Sequence, residues 1–187
     1  MIPTKILLTG QPGCGKTTLI RKVIGRLDHG TWGFYTREVR EGAVRAGFEV
    51  VTLDGQRSVL AHLSFKSEFM VGKYGVDLAS FEEVILPIME DALSKGGIVV
   101  IDELGPMEFF SQSFCDLVWE IIRGPQIVLG TIVKRSTPFG DKVKALNGVE
   151  VIEVVRENRN DLAGSIVNLL ITAEMHLAEK NDSNDEV

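Results

Sequence analysis

Cysteine is nearly absent from this chain, with two in 187 residues, Cys14 and Cys115. Two thiols cannot build a disulfide scaffold or a four-ligand zinc site. Their scarcity points to a reducing, intracellular setting, so a cytoplasmic protein is expected. Long apolar runs are missing as well: no stretch approaches the roughly 18 residues of a membrane-crossing helix. Met1 to Gly10 has no signal-peptide architecture. Positive charge is in deficit, 20 Lys and Arg against 26 Asp and Glu, for a net charge of −6. That balance excludes a membrane partner, and argues against nucleic acid as the main partner, while leaving room for a local basic site. The three histidines, His29, His62 and His176, share no ligand spacing. No repeat and no Pro- or Ser-rich linker divides the chain. A single domain over residues 1–178 is therefore expected, monomeric or weakly oligomeric, with a frayed acidic tail at 179–187. Apolar residues are 44% of the chain, enough for a core without staples.

Glycine is in excess. Nineteen residues are about a tenth of the chain, against a usual value of about 7%, and their positions carry most of the reading. Lys5-Ile6-Leu7-Leu8-Thr9 is an apolar strand that runs into Gly10. From Lys16 onward Leu19, Ile20, Val23, Ile24 and Leu27 recur at helical spacing, and Asp28 to Gly30 closes that helix. Between Trp32 and Ala61, two stretches of β-formers flank turns at Glu41-Gly42 and Asp54-Gly55, which predicts an inserted β-hairpin or meander. Ser64 to Asp77 has no clear period and reads as loop. Ser80-Phe81-Glu82-Glu83 fits a capping box for a helix kinked at Pro87. Ile98-Val99-Val100-Ile101 is apolar throughout, as in a strand buried on both faces of a parallel sheet. A helix over 114–122, a strand at 127–131, a short helix over 137–146, a strand at 149–155 and a long C-terminal helix follow. Trp32 and Trp119 read as core. Alternating strands and helices imply an α/β, three-layer fold with a mainly parallel sheet.

Gly10-Gln11-Pro12-Gly13-Cys14-Gly15-Lys16-Thr17 satisfies the G-x-x-x-x-G-K-[ST] pattern at every fixed position. A polyphosphate needs many donors and a close backbone approach. Glycines at 10, 13 and 15 let a loop curl with its N–H groups inward, and the following helix adds its positive end. Lys16 is placed to reach the β- and γ-phosphates, Thr17 to ligate Mg²⁺, and Thr18 to meet the α-phosphate. Cys14 reads as a spacer, or else as a thiol made reactive by the helix N-terminus.

The apolar strand 98–101 ends in Asp102-Glu103. At the carboxyl edge of a buried strand, Asp102 is expected to hold Mg²⁺ beside the loop, and Glu103 to orient and deprotonate water. A carboxylate aimed at water favours hydrolysis over phosphoryl transfer to another acceptor. Glu108, six residues on, either lines the same pocket or starts a helix. Charge developing on the transferred phosphoryl group calls for a cation. Arg37, Arg40, Arg45, Lys134, Arg135 and Arg159 are the candidates, with Arg37 the first choice because it closes a strand that can pack near the nucleotide. Arg159 follows the last strand, where it can stack on or bond to the base or ribose.

On these residues the chain resembles the small P-loop nucleoside-triphosphatases, also called cancer-related nucleoside-triphosphatases. The resemblance runs through Gly10 to Leu19, Gly33-Phe34-Tyr35-Thr36-Arg37-Glu38-Val39-Arg40-Glu41-Gly42, Arg45 to Thr52, Val71 to Val76, Val100 to Glu108 and Asn158-Arg159. It covers about residues 5 to 165. It implies a RecA-like sheet and Mg²⁺-dependent hydrolysis of ATP, GTP and other triphosphates, CTP and UTP among them, to the diphosphate. It supports Lys16, Thr17, Asp102 and Glu103 in the roles above and adds interest to Arg37, Arg40 and Arg45. Pro106 departs from the lysine that the family commonly carries there, so a phosphate contact from that position is absent. Two other readings stay open: a P-loop kinase acting on a nucleotide or polynucleotide hydroxyl, and a nucleotide-gated binding module.

Overall fold

A computed structural model describes residues 3–27 and 30–182, with side chains to residue 179. The chain alternates strand and helix from the outset. Strand β1 (Lys5–Thr9) is buried along its whole length and leads through the glycine loop into α1 (Lys16–Ile24). The helix closes at Gly25, earlier than the apolar spacing to Leu27 suggests. Asp28 and His29, read as part of its closure and as a scattered histidine, lie outside the described residues. Strands β2 (Thr31–Glu41), β3 (Val44–Thr52) and β4 (Arg57–His62) form a meander. Two short strands follow, β5 (Met70–Val71) and β6 (Tyr74–Val76), in the region expected to be loop. Their two-residue turn has Gly72 at φ +61°, so the hairpin is set by one left-handed glycine and is too brief to show a period.

Helix α2 (Leu78–Ser94) starts two residues before the expected box. Its cap is Asp77, which accepts the Ser80 N–H at 3.1 Å, and it continues through Pro87. Strand β7 (Ile98–Leu104) runs on through both acids. A 3₁₀ turn (Glu108–Phe110), α3 (Gln112–Arg123), β8 (Ile127–Ile132), α4 (Pro138–Lys144) and β9 (Val149–Glu153) follow. Helix α5 spans Arg159–Asp182. It absorbs the first four residues of the expected acidic tail, and residues 183–187 lie outside the described part.

One nine-stranded sheet holds every strand, in the order β5-β6-β4-β3-β2-β7-β8-β1-β9. Four pairings are parallel (β2·β7, β7·β8, β8·β1, β1·β9) and four antiparallel (β2·β3, β3·β4, β4·β6, β6·β5). The sheet is mixed in equal parts rather than mainly parallel, and the hairpin is no appendage. The eleven residues of β2 explain both points. Thr31 to Tyr35 pair parallel with β7, and Phe34 to Glu41 pair antiparallel with β3. The meander thus extends the main sheet edge to edge.

Side-chain alternation along the strands splits the core into two layers. On one face Ile6, Leu8, Val100 and Leu129 pack with Leu19, Ile20 and Val23 of α1 and Ile166 and Leu170 of α5. On the other, Leu7, Phe34, Val99 and Ile101 pack with Phe81 and Ile85 of α2 and Phe114 and Val118 of α3. Phe34, Phe81 and Phe114 meet edge to face at 5.3–6.2 Å. Trp32 and Trp119 lie at the rim of this second layer, half-buried, under Lys95 and Lys142 respectively. Among the described residues no helix is long and apolar enough to cross a membrane.

Candidate active site

The glycine loop takes the shape its sequence requires. Gly10, Gly13 and Gly15 have φ of +148°, +77° and +106°, a region that side chains with a Cβ rarely enter. A Cβ on Gly10 would stand 2.4 Å from the Val154 carbonyl oxygen, so close packing on the neighbouring loop adds to the demand. Gly15 caps α1 in the left-handed region, with no side-chain cap and no acid in the first turn. The first N–H groups of α1 are therefore left for an outside anion. Lys16 folds back to donate to the Gly10 carbonyl at 3.3 Å. Thr17 is half-buried and Thr18 exposed.

The acidic pair lies two strands from β1, not on its neighbour. Strand β8 intervenes and supplies the link: Thr131, fully buried, donates its hydroxyl to Asp102 Oδ1 at 2.6 Å. Asp102 is 1% exposed, and its other oxygen, Oδ2, has no hydrogen-bond partner. Burial pushes its carboxyl above the ordinary range, while Thr131, Thr17, Lys16 and the Thr36 N–H favour its charge. Glu103 is also raised by burial, with Lys16 opposing and Asp102 reinforcing. Glu108, 4% exposed, is driven up to about 8, by burial first and then by Glu103. It lies in the acid cluster and also opens the 3₁₀ turn, so both sequence readings of this residue describe one position. The Asp102–Glu103 peptide is cis.

Thr131 is the partner of Asp102 that sequence reasoning passed over. A hydroxyl inside a six-residue strand otherwise made of buried Ile, Val, Leu and Gly was its signal, since polar side chains are fully buried only with a partner.

The arginines fall into two groups. Arg159, at the start of α5, lies across the glycine loop. Its Nη1 donates to the Cys14 carbonyl at 3.5 Å, and its Cδ is 3.2 Å from where a Gly15 Cβ would be. Arg37, Arg40 and Arg45 sit on the β2–β3 hairpin away from the loop. Arg37 pairs with Glu49 across the strands. Arg40 and Arg45 share Glu38 at 2.7 and 2.9 Å, and Arg45 also donates to the Tyr74 hydroxyl at 3.2 Å. None of these three is brought to the phosphate loop by a contact. Lys134 pairs with Glu153, which lines a cavity of about 260 Å³ between Gln11–Cys14 and Glu153–Arg156. Arg135 is exposed. Of the histidines, His62 bonds Ser64 and faces Glu41 at 3.6 Å, and His176 is half-buried on α5. Among the described residues no group of three or more His, Cys, Asp and Glu is arranged to hold a metal by itself. Cys14 and Cys115 are both buried and free.

Residues 5–167 match a family model described as NTPase. The chain is similar to the nucleoside-triphosphatase THEP1 of Thermotoga maritima, 43% identical over 166 residues that make up 89% of this chain and 95% of that one. Its fold is similar to the crystal structure of THEP1 from the hyperthermophile Aquifex aeolicus, with a TM-score of 0.84 and 39% identity over 89% of this chain and 98% of the other. It is also similar to the solution structure of a human cancer-related nucleoside triphosphatase, with a TM-score of 0.75 and 40% identity over 88% and 95% of the two chains.

Proposed function

The chain belongs to this NTPase family, and on that footing we infer that it is an enzyme that hydrolyses nucleoside triphosphates to the diphosphate and phosphate. The observation that carries the reading is the pairing of an uncapped, glycine-shaped helix start with a buried carboxylate that has one oxygen unpartnered. A buried polar oxygen left without a partner costs desolvation, and a ligand that bonds it offsets that cost.

Magnesium fits that vacancy of bonding. The oxygens at hand are hard ones, the Asp102 carboxylate and the Thr17 hydroxyl that faces it, and Mg²⁺ prefers one or two such ligands together with substrate phosphates. Thr17 and Asp102 are the residues that would hold it, and it would supply neutralisation of the substrate's phosphate charge. The chain's own groups do the rest. Loop N–H groups and the α1 terminus bind the phosphates. Lys16 leaves the Gly10 carbonyl for the γ-phosphate and stabilises the charge that grows there. Glu103 takes a proton from water as its oxygen bonds to the γ-phosphorus and the bond to the β-phosphate oxygen breaks. Arg37 and Lys134 are the cations assigned to the developing charge; at rest each is paired with a carboxylate, Glu49 and Glu153.

The cavity beside Gln11–Cys14 is the place for the base. Its outer wall uses its polar groups internally: Asn158 accepts the Val155 N–H and donates to the Glu153 carbonyl, both at 2.9 Å. That leaves the side chains of Gln11 and Arg156 to meet a base edge, and we take ATP, GTP, CTP and UTP all as substrates. Arg159, anchored on the loop, serves the ribose or base. The order of the five parallel strands, β2-β7-β8-β1-β9, supports a RecA-like reading of that half of the sheet.

Phosphate release with each triphosphate, with and without Mg²⁺, tests the proposal. Turnover is expected with water as the sole acceptor. Lys16→Ala should lose about 10²-fold or more. Glu103→Gln should keep nucleotide affinity and lose turnover. Mg²⁺-independent release, or an undiminished Glu103→Gln, would refute it.

A further inference from the structure

Three carboxylates converge at the carboxyl end of β7, and hydrolysis as derived above uses two. The third, Glu108, lies on the turn that follows. Gly105 marks where it meets Glu103: the point a Gly105 Cβ would occupy is 3.1 Å from Glu108 Oε2 and 3.3 and 3.4 Å from Glu103 Cγ and Cδ. Both side chains thus press on the same side of one residue that offers no side chain of its own. The turn that sets Glu108 there is closed by the Phe109 N–H to the Gly105 carbonyl at 3.0 Å and the Ser111 N–H to the Glu108 carbonyl at 3.0 Å. Ser111 is itself fixed, donating to Glu82 of α2 at 2.6 Å and accepting the Phe114 N–H at 3.0 Å. The turn that carries Glu108 is thus tied by hydrogen bonds to Gly105 and, through Ser111, to α2 and α3.

We propose that Glu108 is a positioning residue, which with the gap at Gly105 confines the Glu103 side chain to the orientation that meets the attacking water. The proposal rests on Glu103 as the base. A buried acid costs desolvation, and an apolar side chain would fill the same space more cheaply. The carboxyl group faces the Gly105 N–H and its own N–H, with Glu103 beyond. Its polar end belongs to the Glu103 side of the turn, not to the core. Burial holds Glu108 up to about 8, so near neutral pH it is uncharged and glutamine copies it in shape and charge.

Steady-state kinetics on the full chain with ATP and Mg²⁺, beside nucleotide affinity measured separately, test this. Glu108→Ala should lower kcat about 100-fold, the scale of a misplaced catalytic group, with KM and nucleotide affinity unchanged. Glu108→Gln should restore kcat to within about threefold of wild type. Gly105→Ala, which fills the gap between the two side chains, should lower kcat in the same selective way. In a Glu103→Gln background Glu108→Ala should cost nothing further, because a residue acting through Glu103 has nothing left to position. The proposal is overturned if Glu108→Ala keeps kcat, if it weakens nucleotide binding in step with kcat, if Glu108→Gln is as impaired as Glu108→Ala, or if the losses at 103 and 108 add. Should Glu108→Ala fail to fold by circular dichroism, Gly105→Ala and Glu108→Gln decide alone. An active Glu103→Gln would sink the base assignment itself, a result distinct from all of these.

Discussion

Replacing Glu108 by glutamine should stabilise the protein, and by an amount that grows with pH. In the fold this carboxyl titrates at about 8, against 4.5 for the unperturbed group. Between those values the native state holds a proton that the unfolded chain has released. Stability then falls as pH rises, since its slope follows the protons bound by the unfolded state minus those bound by the native state. The favourable contribution is complete below about pH 4.5 and gone above about pH 8. Three and a half pH units at about 1.4 kcal/mol each give about 5 kcal/mol as the full span. Glutamine has no such titration. Urea unfolding of both proteins without nucleotide or Mg²⁺, at pH 5, 6, 7 and 8, checks this. The curves should nearly coincide at pH 5 and separate by about 1.4 kcal/mol per pH unit, with Glu108→Gln the more stable at pH 8. Asp102 and Glu103 are raised too and contribute slopes of the same sign in both proteins, so the difference reports residue 108 together with its coupling to them. A separation that stays constant with pH, or a variant that is less stable at pH 8, would refute the reasoning.

Thr131→Val removes the hydroxyl that bonds Asp102 Oδ1 while keeping the shape. Denaturant unfolding should show a loss of about 1–3 kcal/mol, the cost of stranding a buried acceptor. Gly10→Ala should abolish binding of a fluorescent nucleotide analogue, because the loop needs φ +148° and has no room before the Val154 carbonyl. Arg159→Ala should raise KM about three- to tenfold with kcat retained, as expected for a group that binds substrate and transition state alike. A fall in kcat would instead place Arg159 on the γ-phosphate.

Much of the fold was legible because its signals are local. The buried strands at 5–9, 98–101 and 127–131 and the helices between them announce themselves by run length and period. What was misread depends on partners distant in sequence. Gly42, at φ +60°, marks the turn between β2 and β3 locally. That β2 also pairs along its first half with β7, and so joins an antiparallel meander to a parallel core, has no local mark at all. The short β5 and β6 join the sheet through β6, which pairs with His62 and Ala61 of β4. The cap of α2 went to Asp77 over Ser80 because a carboxylate reaches the Ser80 N–H and accepts the Ser80 hydroxyl as well, at 2.7 Å.

The site divides along the same line. The glycine loop is contiguous in sequence, so its whole motif was visible. The environment of Asp102 is assembled from three strands and a helix, and only its own strand was readable. Gly33 shows how the hairpin enters it. Its φ is +111°, and a Cβ there would stand 2.0 Å from the Val100 carbonyl oxygen, so β2 and β7 approach more closely than any other residue would permit. That approach sets Tyr35 opposite Asp102 and brings the Thr36 N–H to face its carboxylate. Tyr35 in turn lies under Arg21 of α1 at 5.2 Å, which places this side of β2 on the face that carries the phosphate loop. Arg37, two residues on, shares that side by strand alternation. The segment Gly33 to Thr36 thus meets Asp102 through its backbone, while the Arg37 side chain on the same side is held by Glu49.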